Sequence, residues 1–347
     1  MNRIHLKHGS PLQLDMLMTG RHPEYEGVWV AHEIQGQDVL FTRMVEDAPS
    51  ALKVWAKAIR AISLTATLMP SLAVVLWIMF MGHDIHTFSA VCAVFGVLFL
   101  QVSVNLFNDV GDYLKLIDLP TSLGGSGVIQ QGWLSTHEVK KGAWLSLITG
   151  CALGLPALFF APEGIITCGI LAVIGVVGYS GKPFNFKYKA MGDFTVFALC
   201  GPVLTMGMSY ATTGMLQDGV LLIGAFFGFA AAAILNANNM NDIEVDTRRG
   251  ASTLASLLGF RLARNWQFAY YLGAYACLFI LMGLSNAVML LPIVTLPLVL
   301  LQIKKLKQTD NSSDISLAEV RFDAAKLHLL MGLLLCAAIT ALIIFFR

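Results

Sequence analysis

Nine stretches of this chain are apolar for long enough to cross a bilayer: roughly 58–81, 86–107, 142–161, 164–181, 192–212, 218–237, 266–284, 286–303 and 326–346. About 20 apolar residues in a helix span the hydrocarbon core. Hydrocarbon admits only structures that satisfy their own backbone polar groups, which for runs of this length means helices. The expected fold class is therefore all-α, a polytopic membrane protein of nine transmembrane helices in a bundle. A chain that is 56% hydrophobic and 13% charged, with mean hydropathy +0.69, is an ordinary membrane protein and would be an odd soluble one.

The basic residues orient the bundle. Of the 23 Lys and Arg residues, all but Arg347 precede or open the first run, or fall between the second and third, fourth and fifth, sixth and seventh, or eighth and ninth runs, with Lys326 opening the ninth. By the positive-inside rule that side is cytoplasmic, so the N-terminus is expected inside and the C-terminus opposite. The net charge of +1 says little about partners because the charge is sorted by side, and no nucleic-acid partner is expected. Residues 1–54 read as a polar cytoplasmic extension of unknown role and 55–347 as the helical domain, with the bilayer as its solvent. Within the extension, Val28–His32 and Val39–Thr42 have the composition of short strands. The six cysteines sit inside apolar runs without CxxC spacing, as buried inert thiols do.

Against this background one device appears twice. Asn105-Leu-Phe-Asn108-Asp109-Val-Gly-Asp112 closes the second run, and Asn238-Asn239-Met-Asn241-Asp242-Ile-Glu-Val-Asp246 closes the sixth, 133 positions later. On a helix, Asn105, Asp109 and Asp112 fall on one stripe, as do Asn238, Asp242 and Asp246. Ionisable groups beside hydrocarbon cost several kcal/mol without a partner, about +2.5 to 3.5 for an Asp at the helix centre, so acid pairs there are functional by default. Four helices separate the two copies, so both face the cytoplasm, as a parallel pseudo-repeat.

Four carboxylates flanked by amides form a hard, oxygen-only donor set of the kind that holds Mg²⁺, an ion that commonly shares its shell with a phosphate ligand. The expected substrate is therefore a phosphate or diphosphate ester, and its place at a membrane edge calls for a lipid tail. Tyr179 and Lys182 in the second inner loop, and Arg248 and Arg249 after the second motif, are the cationic and phenolic groups expected to assist. In a site of low dielectric such groups ease departure of diphosphate. The fourth inner loop carries Ser316-Leu-Ala-Glu319, which has the pattern of a capping box.

These residues resemble a known family. Asn105–Asp112 followed by Gly124-Gly-Ser-Gly-Val-Ile-Gln-Gln-Gly132 is similar to the first motif region of the UbiA superfamily of intramembrane prenyltransferases. Asn238–Asp246 followed by Thr-Arg-Arg-Gly250-Ala-Ser-Thr253 looks like the second motif as found in the 1,4-dihydroxy-2-naphthoate prenyltransferase branch. Tyr179-Ser-Gly-Lys182 through Gly192-Asp193 is similar to that branch's tyrosine-containing loop. The resemblance covers residues 55–347. It implies a bundle around a central cavity, with a polyprenyl diphosphate on Mg²⁺ held by Asp109, Asp112, Asp242 and Asp246. It also implies prenyl transfer to an aromatic acceptor in quinone biosynthesis, menaquinone in the naphthoate branch, at the cell inner membrane.

The chain departs from the branch pattern at Gly127 and Asn241, where basic residues are common, and at Ala251, where Lys is frequent. It also spaces Tyr179 and Lys182 by three rather than four. The acceptor therefore stays open among aromatic rings. Two readings from outside the class also remain: an ion-coupled transporter, whose acids belong near the bilayer midplane on broken helices, and a non-catalytic relative.

Overall fold

The computed structural model describes residues 2–45, 48–120, 125–309 and 317–346. Gly124 and Ser316, which open the glycine run and the capping-box pattern, lie outside them.

The chain begins with β1 (Arg3–Lys7), α1 (Pro11–Thr19), β2 (Trp29–Gln35), β3 (Asp38–Arg43) and the short α2 (Ala51–Ala58). The strands form an antiparallel sheet in the order β1-β3-β2, with β2 and β3 joined across Gly36-Gln37, where Gly36 takes φ 63°. Both strands expected from composition are present. The third, β1, is five residues long and mostly exposed, too short for its alternation to stand out.

The membrane part comprises α3 (Thr65–Met81), α4 (Thr87–Leu114), α5 (Thr136–Gly154), α6 (Pro162–Ser180), α7 (Gly192–Ala198), α8 (Leu204–Thr213), α9 (Val220–Asn241), α10 (Ile243–Arg248), α11 (Leu254–Leu284), α12 (Leu296–Gln308) and α13 (Leu317–Phe345). Among the described residues nine helical segments are long and apolar enough to cross a membrane, in the order and positions of the nine runs. The protein is a multi-pass membrane bundle.

Where the boundaries differ, polar residues extend a helix beyond its apolar run. A capping box between Ser135 and Glu138 starts α5 at Thr136. Another, between Thr253 and Ser256, starts α11 at Leu254, ahead of a kink at Gly259. The α4 helix continues past its apolar run to Leu114, so Asp109 and Asp112 lie on the helix itself. The α9 helix does not continue: it stops at Asn241, turns at Asp242 (φ −102°, ψ 6°) and resumes as α10.

Close helix approaches hold the bundle. The Gly96 and Gly150 backbones face each other where α4 crosses α5, and a Cβ on Gly150 would stand 2.9 Å from the Gly96 carbonyl oxygen. Between α7 and α8 a wide turn over Leu199–Val203 bends the span at Gly201 and Pro202. Trp77, Phe226, Phe227, Leu278 and Met331 form the centre of the largest core, joining α3, α9, α11 and α13. The Asn236 side chain donates to Ala263 O (3.0 Å) and Gln267 Oε1 (2.8 Å), tying α9 to α11.

The sheet shares a core with the ends of α4 and α5. Trp29, Phe41 and Leu17 pack in one cluster with Leu106, Val110, Tyr113 and Val139. Two buried hydrogen bonds fix the junction: Ala31 N–H donates to the Tyr113 hydroxyl at 3.0 Å, and the Thr136 hydroxyl donates to Leu17 O at 2.7 Å.

Candidate active site

Because successive spans run up and down, the end at which α4 and α9 finish also holds the starts of α3, α5, α7 and α13 and the end of α6. Every group described below comes from this one end.

In the first motif, Asp109 and Asp112 are both 2% exposed. Asp109 is ion-paired with Arg60, which precedes the 3₁₀ turn Ala61–Leu64 in a left-handed conformation (φ 53°). Asn105 secures that turn, donating to Ile59 O (3.1 Å) and Ser63 Oγ (2.7 Å). On its other side Asp109 accepts from Ser126 N–H at 3.2 Å, where the chain is folded tightly between Gly125 and Gly127 at φ 64° and 78°. A basic side chain is common at the latter position in the resembling branch.

Asp112 belongs to a second set of contacts. The Lys187 ammonium donates to its two oxygens at 2.9 and 2.7 Å and to Asn108 Oδ1 at 3.1 Å. Asn108 Nδ2 donates back to Asp112 at 2.9 Å, and the Tyr188 hydroxyl donates at 2.7 Å. Lys187 and Tyr188 are brought there by a 3₁₀ turn that follows Asn185 at φ 52°. Burial alone would favour the neutral lysine, but the Asp112 charge overrides it and holds the ammonium well above the usual lysine range. Burial and Asp112 together push the Tyr188 phenol up, so it stays a donor. Lys115 caps the group, 3.1 Å above the Tyr188 ring centre. Its own ammonium is lowered to about 8 by burial, against the pull of Asp112.

The single stripe expected of the first motif is thus two stations. Asn105 and Asp109 serve Arg60 and its turn, while Asn108 and Asp112 serve Lys187.

In the second motif Asp242 is held by amides: Asn238 Nδ2 donates at 3.1 Å and Asn241 Nδ2 at 2.9 Å. Arg321, from α13, donates to Asn238 Oδ1 at 3.4 Å. Asp246 is 4% exposed, and its carbonyl accepts from Ala251 N–H at 2.9 Å. Burial raises both carboxyls, opposed by Lys187, and brings Asp246 up to about 7, with Asp242 and Asp112 adding repulsion. Lys187 therefore lies within electrostatic reach of Asp112, Asp242 and Asp246 together. The loops that carry these groups are joined as well. Ser252 N–H donates to Tyr188 O at 3.2 Å, and Ala190 N–H donates to Ser252 O.

The remaining residues singled out by sequence fall as follows. Tyr179 is buried at the end of α6, within electrostatic reach of Lys187. Lys182 is exposed, and the ammonium that meets the acids is Lys187, five positions on. Arg248 is exposed and paired with Glu244 at 3.4 Å, and Arg249 is half-buried. Asn239 turns away from the acids and donates to Asp193 Oδ2 at 3.5 Å, a buried carboxylate that also accepts from the Tyr270 hydroxyl at 3.2 Å.

Arg60, Lys187, Tyr188, Asp193 and Arg321 were not read as site residues. Each is distant in sequence from the motif it serves. The nearest signal was the Lys187-Tyr188 pair inside the tyrosine-containing loop.

Comparison with known proteins bears on the family and the fold. The UbiA prenyltransferase family matches residues 68–330. A 1,4-dihydroxy-2-naphthoate octaprenyltransferase of Escherichia coli is 28% identical over 244 residues, 68% of this chain and 78% of that one. The enzyme of the same name from Haemophilus influenzae is 33% identical over 171 residues, 47% of this chain and 54% of that one. The solved structure of a UbiA homolog from Archaeoglobus fulgidus bound to GPP and Mg²⁺ superimposes with a TM-score of 0.52 at 15% identity, covering 81% of this chain and 99% of that one. A digeranylgeranylglyceryl phosphate synthase structure gives 0.55 at 20% identity, covering 83% and 99%. At these identities the two structures bear on the fold alone.

Proposed function

This chain belongs to the UbiA prenyltransferase family, and from that premise we propose that it transfers a polyprenyl group from polyprenyl diphosphate to an aromatic quinone precursor, with Mg²⁺ as cofactor. The acceptor we favour is 1,4-dihydroxy-2-naphthoate, the substrate in the names of its Escherichia coli and Haemophilus influenzae relatives. The observation that carries the reading is that one loop joins the two motifs: its Lys187 is ion-paired with Asp112 of the first, and its Tyr188 carbonyl accepts from Ser252 N–H in the loop that follows Asp246 of the second.

The donor set fits Mg²⁺ in kind. Asp109, Asp112, Asp242 and Asp246 offer only oxygen, and burial, which raises the carboxyls of the second motif, makes their charged form costly in a way that a divalent cation would offset. Among the described residues no three such groups stand close enough to hold a metal unaided, and diphosphate and water would have to complete its shell. When bound, Mg²⁺ supplies neutralisation of the leaving diphosphate. The A. fulgidus homolog is described with GPP and Mg²⁺ together.

The chain's own residues supply the rest. Lys187 and Arg60 carry the fixed positive charge nearest the acids and pair with diphosphate oxygens as the allylic C–O bond breaks. Tyr188 and Asn108 keep Lys187 aimed. A carbon of the electron-rich ring then forms the new C–C bond to the allylic carbon, and that ring carbon loses its former substituent, a proton passed to solvent or a carboxylate released as CO₂, whose bonding pair restores the aromatic ring. The protein orients the reactants and keeps water out, and no covalent enzyme intermediate is needed. The site-bearing end faces the cytoplasm of a cell inner membrane, in line with the basic loops. Residues 1–54 act as an extension braced against α4 and α5, and 55–347 as the catalytic domain.

The test is direct. Purified protein is given Mg²⁺, labelled prenyl diphosphate and a panel of aromatic acceptors that includes the naphthoate. Labelled lipid product with the naphthoate is expected. Product with a different ring only would replace the acceptor, and no product with any ring would overturn the transferase reading.

A further inference from the structure

A cleft of about 370 Å³ opens between α12 and α13 at the same end of the bundle, separate from the carboxylate site. Its floor is apolar, made by Leu298, Leu301 and Leu327, and its rim is basic, made by Lys304, Lys305 and Lys326. Leu298 and Leu301 are 46% and 57% exposed on the outer surface of the spans, so the floor continues into the face that meets hydrocarbon. The lysines stand where α12 ends and α13 begins, at the level of lipid headgroups.

The charges at the rim have unequal commitments. Asp323 is the one carboxylate lining the cleft and is shared by Lys305 at 3.1 Å and Lys326 at 3.9 Å, while Lys305 also reaches Glu319 at 3.4 Å. Lys304 makes no ion pair among the described residues. Gln302, the buried amide of the cleft, is already satisfied: it donates to Val320 O at 2.9 Å and accepts from the Tyr271 hydroxyl at 2.7 Å. The polar recognition still on offer is therefore cationic. Three ammonium groups against Asp323 and the neighbouring Glu319 still leave an excess of positive charge above an apolar channel.

From this pairing we propose that the α12–α13 cleft is a binding site for an anionic phospholipid, its phosphate among Lys304, Lys305 and Lys326 and its first acyl segments along Leu298, Leu301 and Leu327. Basic pockets between spanning helices on the cytoplasmic side recognise anionic headgroups in this way, and each lysine near a charged membrane surface contributes about 1 kcal/mol. A free phosphate would use the rim without the floor, and a zwitterionic lipid would use the floor while gaining little from the rim.

The cleft also abuts the catalytic end. α13 carries Asp323 and Lys326 at the rim and Arg321, which reaches Asn238 of the second motif, two positions earlier. A lipid seated in the cleft steadies the entry of α13 and with it the Arg321 contact.

The experiment uses the full-length protein, delipidated and then exposed to mixed phosphatidylglycerol and phosphatidylcholine, with retained lipid counted by native mass spectrometry. Wild type is expected to retain phosphatidylglycerol with at least about fivefold preference, corresponding to roughly one of the lysine contacts. K304Q/K326Q is expected to lose that preference. K53Q/K140Q, which removes two basic residues away from the cleft, is expected to keep it. Thermal midpoints of all three are compared, to separate lipid loss from misfolding. Equal retention of both lipids by wild type would overturn the proposal, as would K304Q/K326Q keeping the wild-type preference. Loss of preference in both double variants alike would mean general surface charge and would also overturn it. Soluble glycerol phosphate is added as competitor. If it displaces the lipid fully at equal concentration, the apolar floor contributes nothing and the site is one for phosphate alone.

Discussion

In the first motif each carboxylate meets a cation, Asp109 with Arg60 and Asp112 with Lys187, and both lie on an unbroken helix. In the second, the helix breaks at Asp242, which is held by two amides, and Asp246 sits buried with its carboxyl raised to about 7. Nearly the same letters therefore end in different electrostatic states. What differs is what other loops bring to each copy. The tyrosine-containing loop delivers Lys187 directly to the first motif, and only its longer-range field reaches the second. The first motif is charge-balanced by the protein, while in the second no cation touches the carboxylates among the described residues and burial pushes both carboxyls up.

The sharpest way to break this comparison is to neutralise one acid in each copy. Asp112→Asn strands the buried Lys187 ammonium, so stability should fall by about 3–5 kcal/mol and turnover by about 10²–10³-fold. Asp242→Asn should lose turnover to a similar degree but leave thermal stability unchanged or slightly raised, because it relieves like-charge repulsion. Denaturation midpoints measured beside prenyl-transfer rates check both, and equal destabilisation by the two variants would refute the asymmetry.

A smaller but decisive contrast lies in the second inner loop. Lys187→Met is expected to reduce turnover by about 10²-fold, whereas Lys182→Met, exposed and outside the carboxylate contacts, should stay within about threefold, inside the usual small effect of surface sites. Steady-state rates at saturating acceptor measure this pair. Asn238→Ala should cost about 1 kcal/mol of support for Asp242, seen as a rise of roughly fivefold in KM for the diphosphate with kcat nearly kept. The smallest effect expected is Tyr113→Phe. It removes the hydroxyl that accepts from Ala31 and should lower stability by about 1 kcal/mol without changing the acceptor preference.

These contrasts also mark what the sequence could disclose. The nine spans and the common end of the two motifs were legible because hydropathy and loop charge are physical constraints carried by long stretches. The duplicated Asn-x-x-Asn-Asp was legible because carboxylates beside hydrocarbon demand a reason. The split of Asn105 from Asn108 was not, since helical spacing puts residues on one stripe but does not say which neighbour each will find. Asn105 was claimed by the turn at Arg60, a contact 46 positions away in the chain. Lys187 was hidden for a related reason. Tyr179 ends α6 and Lys182 follows it directly, but the turn after Asn185 carries the chain back over α4, and the lysine beyond the turn is the one that arrives. The Ser135-Thr-His-Glu138 capping box that begins α5 went unread, because the apolar run that marks the span starts only after it. Strand β1 owes its place to β3 and left little trace in its own residues.

The central claim is that the two acid motifs form one site for a metal and a diphosphate. A double-mutant cycle on binding tests it most directly: prenyl diphosphate affinity is measured by calorimetry in the presence of Mg²⁺ for wild type, Asp112→Asn, Asp242→Asn and the double variant. A shared site predicts that each single substitution abolishes most of the affinity and that the double variant binds little worse than either. Losses that simply add, with each motif contributing independently, would contradict it.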